Sequence, residues 1–261
     1  MIFFLKYTIL NFFLFLKALV TSPFSKLSRH RLSNTFLTLR YPYFGDKYLH
    51  LSQLLNKEEL QIMLAPVKAR LHNTSSFELL AICSLLKDNN CNVIFEIGTF
   101  DGRTARAMAM NLLNEQGKIF TLNLPPETDT VELDTSVVDV QLARKVISGE
   151  RFINTAEHKN IKQLWGDSAT YDFSPYHNKM DMVFIDGAHS EYYVKIDTEN
   201  GLKLIKQSGG FIIWHDAHLY GVVKYLQQWR NSNKLPLYFI KETSLAVARV
   251  KSGSVVDFLT N

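Results

Sequence analysis

Four ionisable residues stand at the ends of two short apolar runs in the carboxyl-terminal half of the chain. Asp186 and His189 follow the first run, and the pair His215-Asp216 follows the second. Because the carboxyl ends of neighbouring parallel strands meet at one edge of a sheet, we expect Asp186, His215 and Asp216 to reach a single ion. Two carboxylates and an imidazole suit a divalent cation such as Mg²⁺ or Mn²⁺. A lone Asp could simply cap a helix, but four polar groups at buried strand ends are costly to desolvate without partners.

A glycine-containing loop, EIGTFDGRT over residues 96–104, follows an earlier apolar run and leads directly into a helix. Glycines there permit a tight turn and let a ligand approach the backbone. A nicotinamide-binding loop would require Gly-x-Gly-x-x-Gly and an acid about 20 residues further on. Phe100 stands in place of the second glycine, and the next apolar run ends at Asn123 instead of an acid. The nicotinamide reading is disfavoured, and the loop alone also fits an ordinary strand-to-helix turn.

Hydrophobic periodicity places these residues in an alternating α/β chain. Short apolar runs predict seven strands, over residues 92–97, 118–124, 161–164, 181–185, 211–214, 237–240 and 245–250. Helical spacing predicts helices over residues 76–86, 103–113, 192–207 and 221–229, with a weaker pattern over 137–147. The alternation indicates a doubly wound, Rossmann-like fold with a mostly parallel seven-stranded sheet. The close-set last two strands predict a terminal antiparallel hairpin.

In this order the motifs resemble class I S-adenosylmethionine-dependent methyltransferases, and the 96–104 loop resembles their first motif in its catechol O-methyltransferase-like variant. The resemblance implies that the methionine and ribose parts of S-adenosylmethionine are surrounded by Glu96, Gly98, Thr99, Phe100 and Gly102. Asn123 replaces the acid that usually grips the ribose hydroxyls, so it keeps a hydrogen bond but loses the charge-assisted one. Asp167 and Ser168 resemble the adenine-side motif, although a helix N-cap explains Asp167 equally well.

The likeness extends to small-molecule O-methyltransferases that bind a divalent metal, including sugar- and macrolide-modifying members. It covers residues 76–250, including the closing segment 243–247. By this resemblance Asp186, His215 and Asp216 fall on the metal-ligand positions and His189 on the general base. His215 replaces a carboxylate usual in the catechol-type enzymes. The implied reaction is methyl transfer to a hydroxyl of a small-molecule or sugar acceptor, with His189, near its neutral pKa, taking the proton.

Three alternatives remain open from the sequence. The first is a metal-independent methyltransferase in which His215 and Asp216 only shape the pocket. The second is a membrane-tethered protein that binds the cofactor or a metal without turnover; Asn123 favours it, whereas the complete set of strand-end residues disfavours it. The third, a metal-dependent glycosyltransferase, lacks a clear acid-x-acid candidate after a strand.

Composition and charge limit the classes of protein to which the chain can belong. The chain has 261 residues, of which 46% are hydrophobic and 21% charged, enough for one large globular domain. Cys83 and Cys91 are few and close together, which indicates free thiols in a reducing compartment. Residues 1–50 hold seven Lys or Arg and one Asp, so the basic charge lies in the tail and the remaining chain carries −2. A nucleic-acid substrate is therefore not indicated.

The first twenty residues are rich in Phe, Leu and Ile, and a basic segment over residues 25–31 follows them. An N-terminal apolar helix of this length spans about 30 Å, which fits a membrane anchor. A buried or oligomerising helix and a cleaved signal peptide are the competing interpretations. We divide the chain into a possible anchor over residues 1–31, a linker with lead-in helices over 32–75 and a cytoplasmic catalytic domain over 76–261. A homo-oligomer stays open, and the segment 126–158 does not name the acceptor.

Overall fold

The computed structural model describes residues 48–66, 68–70, 72–128, 131–133, 135, 139–140, 147–233, 235–257 and 259. Every described residue belongs to one compact unit, Asp46–Asn261. The predicted apolar helix over residues 1–20 and its basic flank lie outside the described residues, as does most of the 137–147 pattern. The domain division at residues 31 and 75 stays a prediction. In the described part of the chain, no helix is both long and apolar enough to cross a membrane.

The described strands form one mixed sheet. Their bounds are β1 (Tyr48–Leu49), β2 (Val93–Ile97), β3 (Lys118–Asn123), β4 (Ile161–Trp165), β5 (Met182–Ile185), β6 (Gly210–Trp214), β7 (Tyr238–Ile240), β8 (Ala246–Lys251) and β9 (Ser254–Val256). The order is β1-β7-β8-β6-β5-β2-β3-β4, with β9 also paired to β8. Within the set β2 to β6, every pair of neighbouring strands is parallel. Strand β8 runs antiparallel to β6, β7 and β9. All seven predicted strands and the β7–β8 hairpin are present, and β1 and β9 extend the sheet.

The described α-helices are α1 (Ser76–Asp88), α2 (Arg103–Met110), α3 (Glu150–Ile153), α4 (Glu191–Leu204) and α5 (Tyr220–Asn233). Helix α2 ends three residues before its predicted end. The Asn111 side chain explains this, because its amide donates to the carbonyls of Ala107 at 2.8 Å and Met63 at 2.7 Å. These bonds cap the helix and tie it to the preceding segment.

The described part of the lead-in segment (residues 32–75) contributes to the core although little of it is helical. Its described part contains one short 3-10 helix, Leu51–Gln53, where lead-in helices were predicted. Leu49 and Leu54 nevertheless belong to the buried core, and Asp88 of α1 accepts hydrogen bonds from the amides of Asn56 and Lys57. The segment is therefore held to the sheet domain by packing and by α1.

Burial on both faces explains the apolar strands. Every residue of β5 is buried, as expected for a parallel strand covered by helices on each side. On one face Trp214 of β6 donates its indole N–H to Thr198 of α4 at 2.9 Å and packs edge-on against Trp229 of α5. Cys83 and Cys91 are both free and buried, as the sequence predicts.

The strand order reverses between β2 and β5, which lie side by side. The chain runs from β2 outward through β3 to β4, and from β5 outward to β6 in the other direction. Ile97 pairs with Ile185, and the amide of Asp186 donates to the Ile97 carbonyl at 2.8 Å. Ligands of open α/β sheets bind at such a reversal, outside the carboxyl ends of the strands.

Candidate functional site

The loop after β2 has an unusual backbone that glycine makes accessible. Gly98, Phe100 and Gly102 have φ values of +99°, +48° and +83°. A Cβ on Gly98 would lie 2.1 Å from the carbonyl oxygen of Asp186. Glycine at position 98 is thus required by the contact between the tips of β2 and β5, in addition to any ligand that approaches the loop.

A hydrogen-bonded network supports the loop from beneath. The Thr121 hydroxyl donates to the buried carboxylate of Glu96 and lies 2.7 Å from the Thr99 hydroxyl, which also accepts from the Gln163 amide at 3.1 Å. Burial raises the pKa of Glu96 well above its ordinary value, the Thr121 hydrogen bond opposes this, and the charge of Asp186 adds to it. Glu96 therefore anchors the start of the loop inside the protein.

Asn123 braces the same loop from the end of β3. Its Oδ1 accepts a hydrogen bond from the Thr99 amide at 3.3 Å, and its Nδ2 donates to the Leu124 carbonyl at 3.3 Å. The amide side chain thus uses both its acceptor and its donor within the protein. An acid here could also accept from the Thr99 amide, so only the bond to the Leu124 carbonyl depends on the change to Asn.

Asp167 joins three segments beyond the end of β4. Its Oδ1 accepts from the Ala169 amide at 2.9 Å, while its Oδ2 accepts from the Tyr193 hydroxyl at 2.7 Å and the Glu132 amide at 2.9 Å. The first bond closes a local turn. Residues 168–173 form no helix, so the alternative interpretation of Asp167 as a helix N-cap is wrong. The other two bonds connect the β4 loop to α4 and to the segment 126–158. Ser168 beside it is partly exposed.

The structure brings Asp186, His215 and Asp216 together. One potential ligand atom from each lies within 4.8 Å of the others. His215 Nδ1 is 3.0 Å from Asp186 Oδ1 and 3.5 Å from Asp216 Oδ2. Asp216 adopts a φ of +50°, which is uncommon for a residue other than glycine and directs its side chain beside His215.

Charge explains why this group of atoms suits a cation. Burial alone would lower the pKa of His215, but Asp186, Asp216 and Glu78 raise it well above its ordinary value. Burial opposes ionisation of Asp216, yet its contacts with His189 and His215 hold its pKa well below the usual range. The carboxylates around His215 thus favour positive charge at this position. Two carboxylates and an imidazole nitrogen at these distances fit a divalent cation.

His189 lies beside the same group. Its Nε2 is 3.2 Å from Asp216 Oδ2 and 4.0 Å from Asp186 Oδ1, and its Nδ1 is 3.1 Å from Asp139 Oδ1. Burial acts to lower the pKa of His189, but Asp139 and Asp216 raise it to about 10. Because two carboxylates flank one imidazole, the pKa of His189 lies above the near-neutral value that the sequence predicts.

Sequence reasoning missed two residues of this site. Asp139 comes from the segment 126–158, where no motif marked it. Glu78 of α1 reaches His215 Nε2 at 3.4 Å across 137 positions of sequence. Its only local signal is the Ser75-x-x-Glu78 capping box, which is present in the structure but predicts a helix start, not a site.

Comparisons with known proteins concern the class of the domain. Residues 95–217 match a family described as a methyltransferase domain. No curated protein matches the sequence. Among solved structures, the chain is similar to an O-methyltransferase from Bacillus cereus in complex with SAH, with 17% identity, coverage of 70% of this chain and 84% of that chain, and a TM-score of 0.47.

Two further similar structures contain bound SAM or SAH. One is the O-methyltransferase TomG from Streptomyces achromogenes, involved in tomaymycin synthesis, in complex with SAM (17% identity, 69% and 82% coverage, TM-score 0.48). The other is the SAH-bound methyltransferase PaMTH1 from Podospora anserina (14% identity, 69% and 80% coverage, TM-score 0.47).

The matched residues include the loop after β2, all of β5 and the His215-Asp216 pair. Residues 95–217 thus match a methyltransferase domain, in agreement with the class predicted from the sequence, a class I S-adenosylmethionine-dependent methyltransferase. The predicted Rossmann-like α/β fold is confirmed.

Proposed function

We propose that this protein transfers a methyl group from S-adenosylmethionine to a hydroxyl of a small-molecule or sugar acceptor at a divalent-cation site. The observation that carries the proposal is the contact between Gly98 and Asp186. It joins the glycine loop of a methyltransferase domain directly to a strand tip where two carboxylates and an imidazole converge. A cofactor and a cation bound at these two places would share one crevice, so a methyl donor and an acceptor oxygen could meet there.

The cofactor is assigned to the loop and its neighbours. The backbone around Gly98, Thr99, Phe100 and Gly102 would face the methionine and ribose parts, with Glu96 holding the loop from below. Asn123 would support the ribose side through Thr99, and Asp167 and Ser168 the adenine side. Positive φ values at Gly98, Phe100 and Gly102 give this segment the tight turn that the proposed cofactor contact requires.

The cation is assigned to Asp186, His215 and Asp216, with Mg²⁺ or Mn²⁺ as the preferred ions. When bound, a divalent cation supplies positive charge that lowers the pKa of an acceptor hydroxyl. His189 is proposed as the proton acceptor through Nε2, while Asp139 holds its Nδ1 side. This role requires the charge of Asp216 to be engaged by a ligand, since Asp139 and Asp216 otherwise keep His189 protonated.

The place of action is also a proposal. The basic, apolar segment over residues 1–31 would let the protein contact an anionic membrane surface, with the catalytic domain in the cytoplasm. A lipid-linked or surface-glycan sugar would suit that position as acceptor. Self-association of the chain through this segment is the accompanying proposal.

Turnover with a labelled donor tests the function. The full-length protein is incubated with S-adenosylmethionine carrying a deuterated methyl group, Mg²⁺ and a panel of hydroxylated small molecules and sugars, and products are identified by mass spectrometry. The proposal expects the label on an acceptor oxygen and loss of transfer when a chelator is in excess. Label found only on nitrogen or carbon would contradict the assignment of the acceptor group.

A metal-independent methyltransferase is the second candidate. His215 favours it, because both ring nitrogens already lie within 3.4 Å of carboxylates of the protein itself, from Asp186 and Glu78. In that case His215 and Asp216 would shape the pocket only. Oxygen methylation that persists at full rate in excess chelator would select this candidate.

A further inference from the structure

The carboxylate of Glu78 lies behind the proposed cation site and gathers hydrogen-bond donors from three segments. Its Oε1 accepts from the Ser244 amide at 2.8 Å and the Ser244 hydroxyl at 2.6 Å. Its Oε2 accepts from the Ser75 amide at 2.8 Å and lies 3.4 Å from His215 Nε2. Glu78 is buried, with only 7% of its surface exposed. All four neighbouring groups can donate, so the carboxylate acts as acceptor throughout.

The two ring nitrogens of His215 face opposite partners. Nδ1 points to Asp186 and Asp216, whereas Nε2 points to Glu78. A histidine that binds a cation through Nδ1 must keep that nitrogen free of hydrogen, so the ring hydrogen has to stay on Nε2. An ionised carboxylate beside Nε2 can only accept that hydrogen. Glu78 thus selects the ring form that leaves Nδ1 available.

Glu78 also reaches the second ligand through Ser244. The Ser244 hydroxyl donates to Glu78 and accepts from the Asp216 amide at 3.3 Å, and the Ser244 carbonyl accepts from the Ala217 amide at 2.8 Å. Asp216 is the residue with the positive φ of +50°. Such a conformation persists where surrounding contacts hold it. The Glu78–Ser244 pair therefore supports the backbone that presents the Asp216 carboxylate.

We propose that Glu78 is the positioning residue of the divalent-cation site: it fixes the ring form of His215 and, through Ser244, the backbone of Asp216. This inference rests on the proposed function, because it assumes that Asp186, His215 and Asp216 bind a cation. Glu78 does not itself contact the ion position, since it lies on the opposite side of the His215 ring. Partners of this kind orient metal-binding histidines in many proteins.

Glu78→Gln is a sharp test because an amide cannot replace a carboxylate that faces donors on both sides. If the new NH₂ faces His215, Nε2 has to become the acceptor and the ring hydrogen moves to Nδ1, towards the carboxylates. If the NH₂ faces Ser244 instead, the contact that supports Asp216 is lost. Either orientation weakens the cation site while leaving the size of the side chain unchanged.

The measurement is Mn²⁺ affinity of metal-free, full-length protein, followed by electron paramagnetic resonance of free Mn²⁺. We expect Glu78→Gln to raise the dissociation constant by roughly 10–100-fold, the usual loss for such partners. Ser75→Ala is the matched control. It removes the hydroxyl that accepts from the Glu78 amide but keeps the backbone donor to Oε2, so its affinity should stay within about 2-fold of wild type.

Two further readouts separate positioning from a general structural effect. Nitrogen-15 NMR of the Mg²⁺-loaded wild-type protein should show the hydrogen of His215 on Nε2. Ser244→Ala removes the hydroxyl that lies between Glu78 and the Asp216 amide but keeps the Ser244 amide as a donor to Glu78. It should weaken Mn²⁺ binding by a smaller factor and leave the His215 ring form unchanged. These results do not depend on whether Glu78→Gln folds.

Failure of the role proposed for Glu78 can be distinguished from failure of the proposed function. Mn²⁺ binding by wild type together with equal binding by a folded Glu78→Gln protein would overturn the role of Glu78 and leave the proposed function standing. A ring hydrogen on Nδ1 would overturn the role of Glu78 and also remove His215 from the proposed cation ligands. Failure of the wild-type protein to bind Mn²⁺ would overturn the cation site and this inference with it.

Discussion

Asp139 holds His189 at two points: its Oδ1 lies 3.1 Å from the ring Nδ1, and its Oδ2 accepts a hydrogen bond from the His189 backbone amide at 3.2 Å. The ring is therefore fixed with Nε2 directed to the side where Asp186 and Asp216 lie. An Asp that orients a His in this way leaves the other ring nitrogen free for proton transfer.

The first prediction concerns this pair. His189→Ala should slow the chemical step by about 10²–10⁴-fold, the usual range for a lost acid-base group. Asp139→Asn should slow it by a smaller factor, roughly 10-fold, because the amide still accepts from Nδ1 but carries no charge. Single-turnover rates measure both effects, and cofactor and metal affinities should change little. Thr135→Ala, which removes only a 3.1 Å hydrogen bond to Asp139 Oδ2, is the control. A wild-type single-turnover rate in His189→Ala would remove the base.

Gly98 provides a test of the junction between the cofactor loop and the cation site. Gly98→Ala should lower the free energy of unfolding by more than about 2 kcal/mol, because the residue has a positive φ and its Cβ would meet the Asp186 carbonyl. Gly253→Ala is the matched control, since Gly253 also has a positive φ, +74°, but nothing lies within 4 Å of its Cβ position. Denaturant unfolding without cofactor gives both values. Equal losses in the two variants would show that the close contact is unimportant.

Asp197 of α4 gives a prediction about pH. Burial raises its pKa from 3.8 to about 7; the Ser168 hydroxyl opposes this, the charge of Asp167 adds to it, and His189 lowers it. Between these two pH values the folded protein keeps a proton that the unfolded chain has released, so stability falls as pH rises through this window. The part of the fall due to Asp197 is at most about 4 kcal/mol. Asp197→Asn should remove this fall in stability. Unfolding at pH 4.5, 6 and 7.5 measures the effect: at the highest pH the variant should have a free energy of unfolding higher than that of wild type by roughly one to a few kcal/mol. Parallel pH profiles for the two proteins would contradict the assignment.

The lead-in segment predicts different results for two truncations. Residues 46–261 should form a folded protein that binds the cofactor and is released from membranes. Residues 76–261 should be much less stable, because they lack Leu49 and Leu54 of the core, each worth about 1.5–3 kcal/mol when fully buried. Thermal unfolding and membrane fractionation compare the two with the full chain. Full-length protein found wholly in the soluble fraction would count against the anchor.

The sequence predicts those parts of the molecule that depend on local pattern. Apolar runs locate all seven central strands, and the rule that parallel strands end together brings Asp186, His215 and Asp216 to one edge. Contacts between distant segments are different: the end of α2 depends on Asn111 reaching Met63, and the environment of His215 depends on Glu78. No periodicity encodes such pairings.

The pKa values of site residues also depend on contacts between distant segments that the sequence pattern does not predict. The pKa of His189 follows from carboxylates at positions 139 and 216, which converge only in the folded chain. Likewise, the sequence predicts that Gly98 leaves room for a ligand. In the structure, the missing side chain of Gly98 leaves room for the Asp186 carbonyl.

Calorimetric titration of S-adenosylhomocysteine into the purified full-length protein tests the central claim most directly. We predict saturable binding of one molecule per chain. Asn123→Ala should bind several-fold more weakly, because the Thr99 amide loses its partner, whereas Asn114→Ala, an exposed Asn before the opposite end of β3, should bind like wild type. No binding by a demonstrably folded wild-type protein would contradict the account.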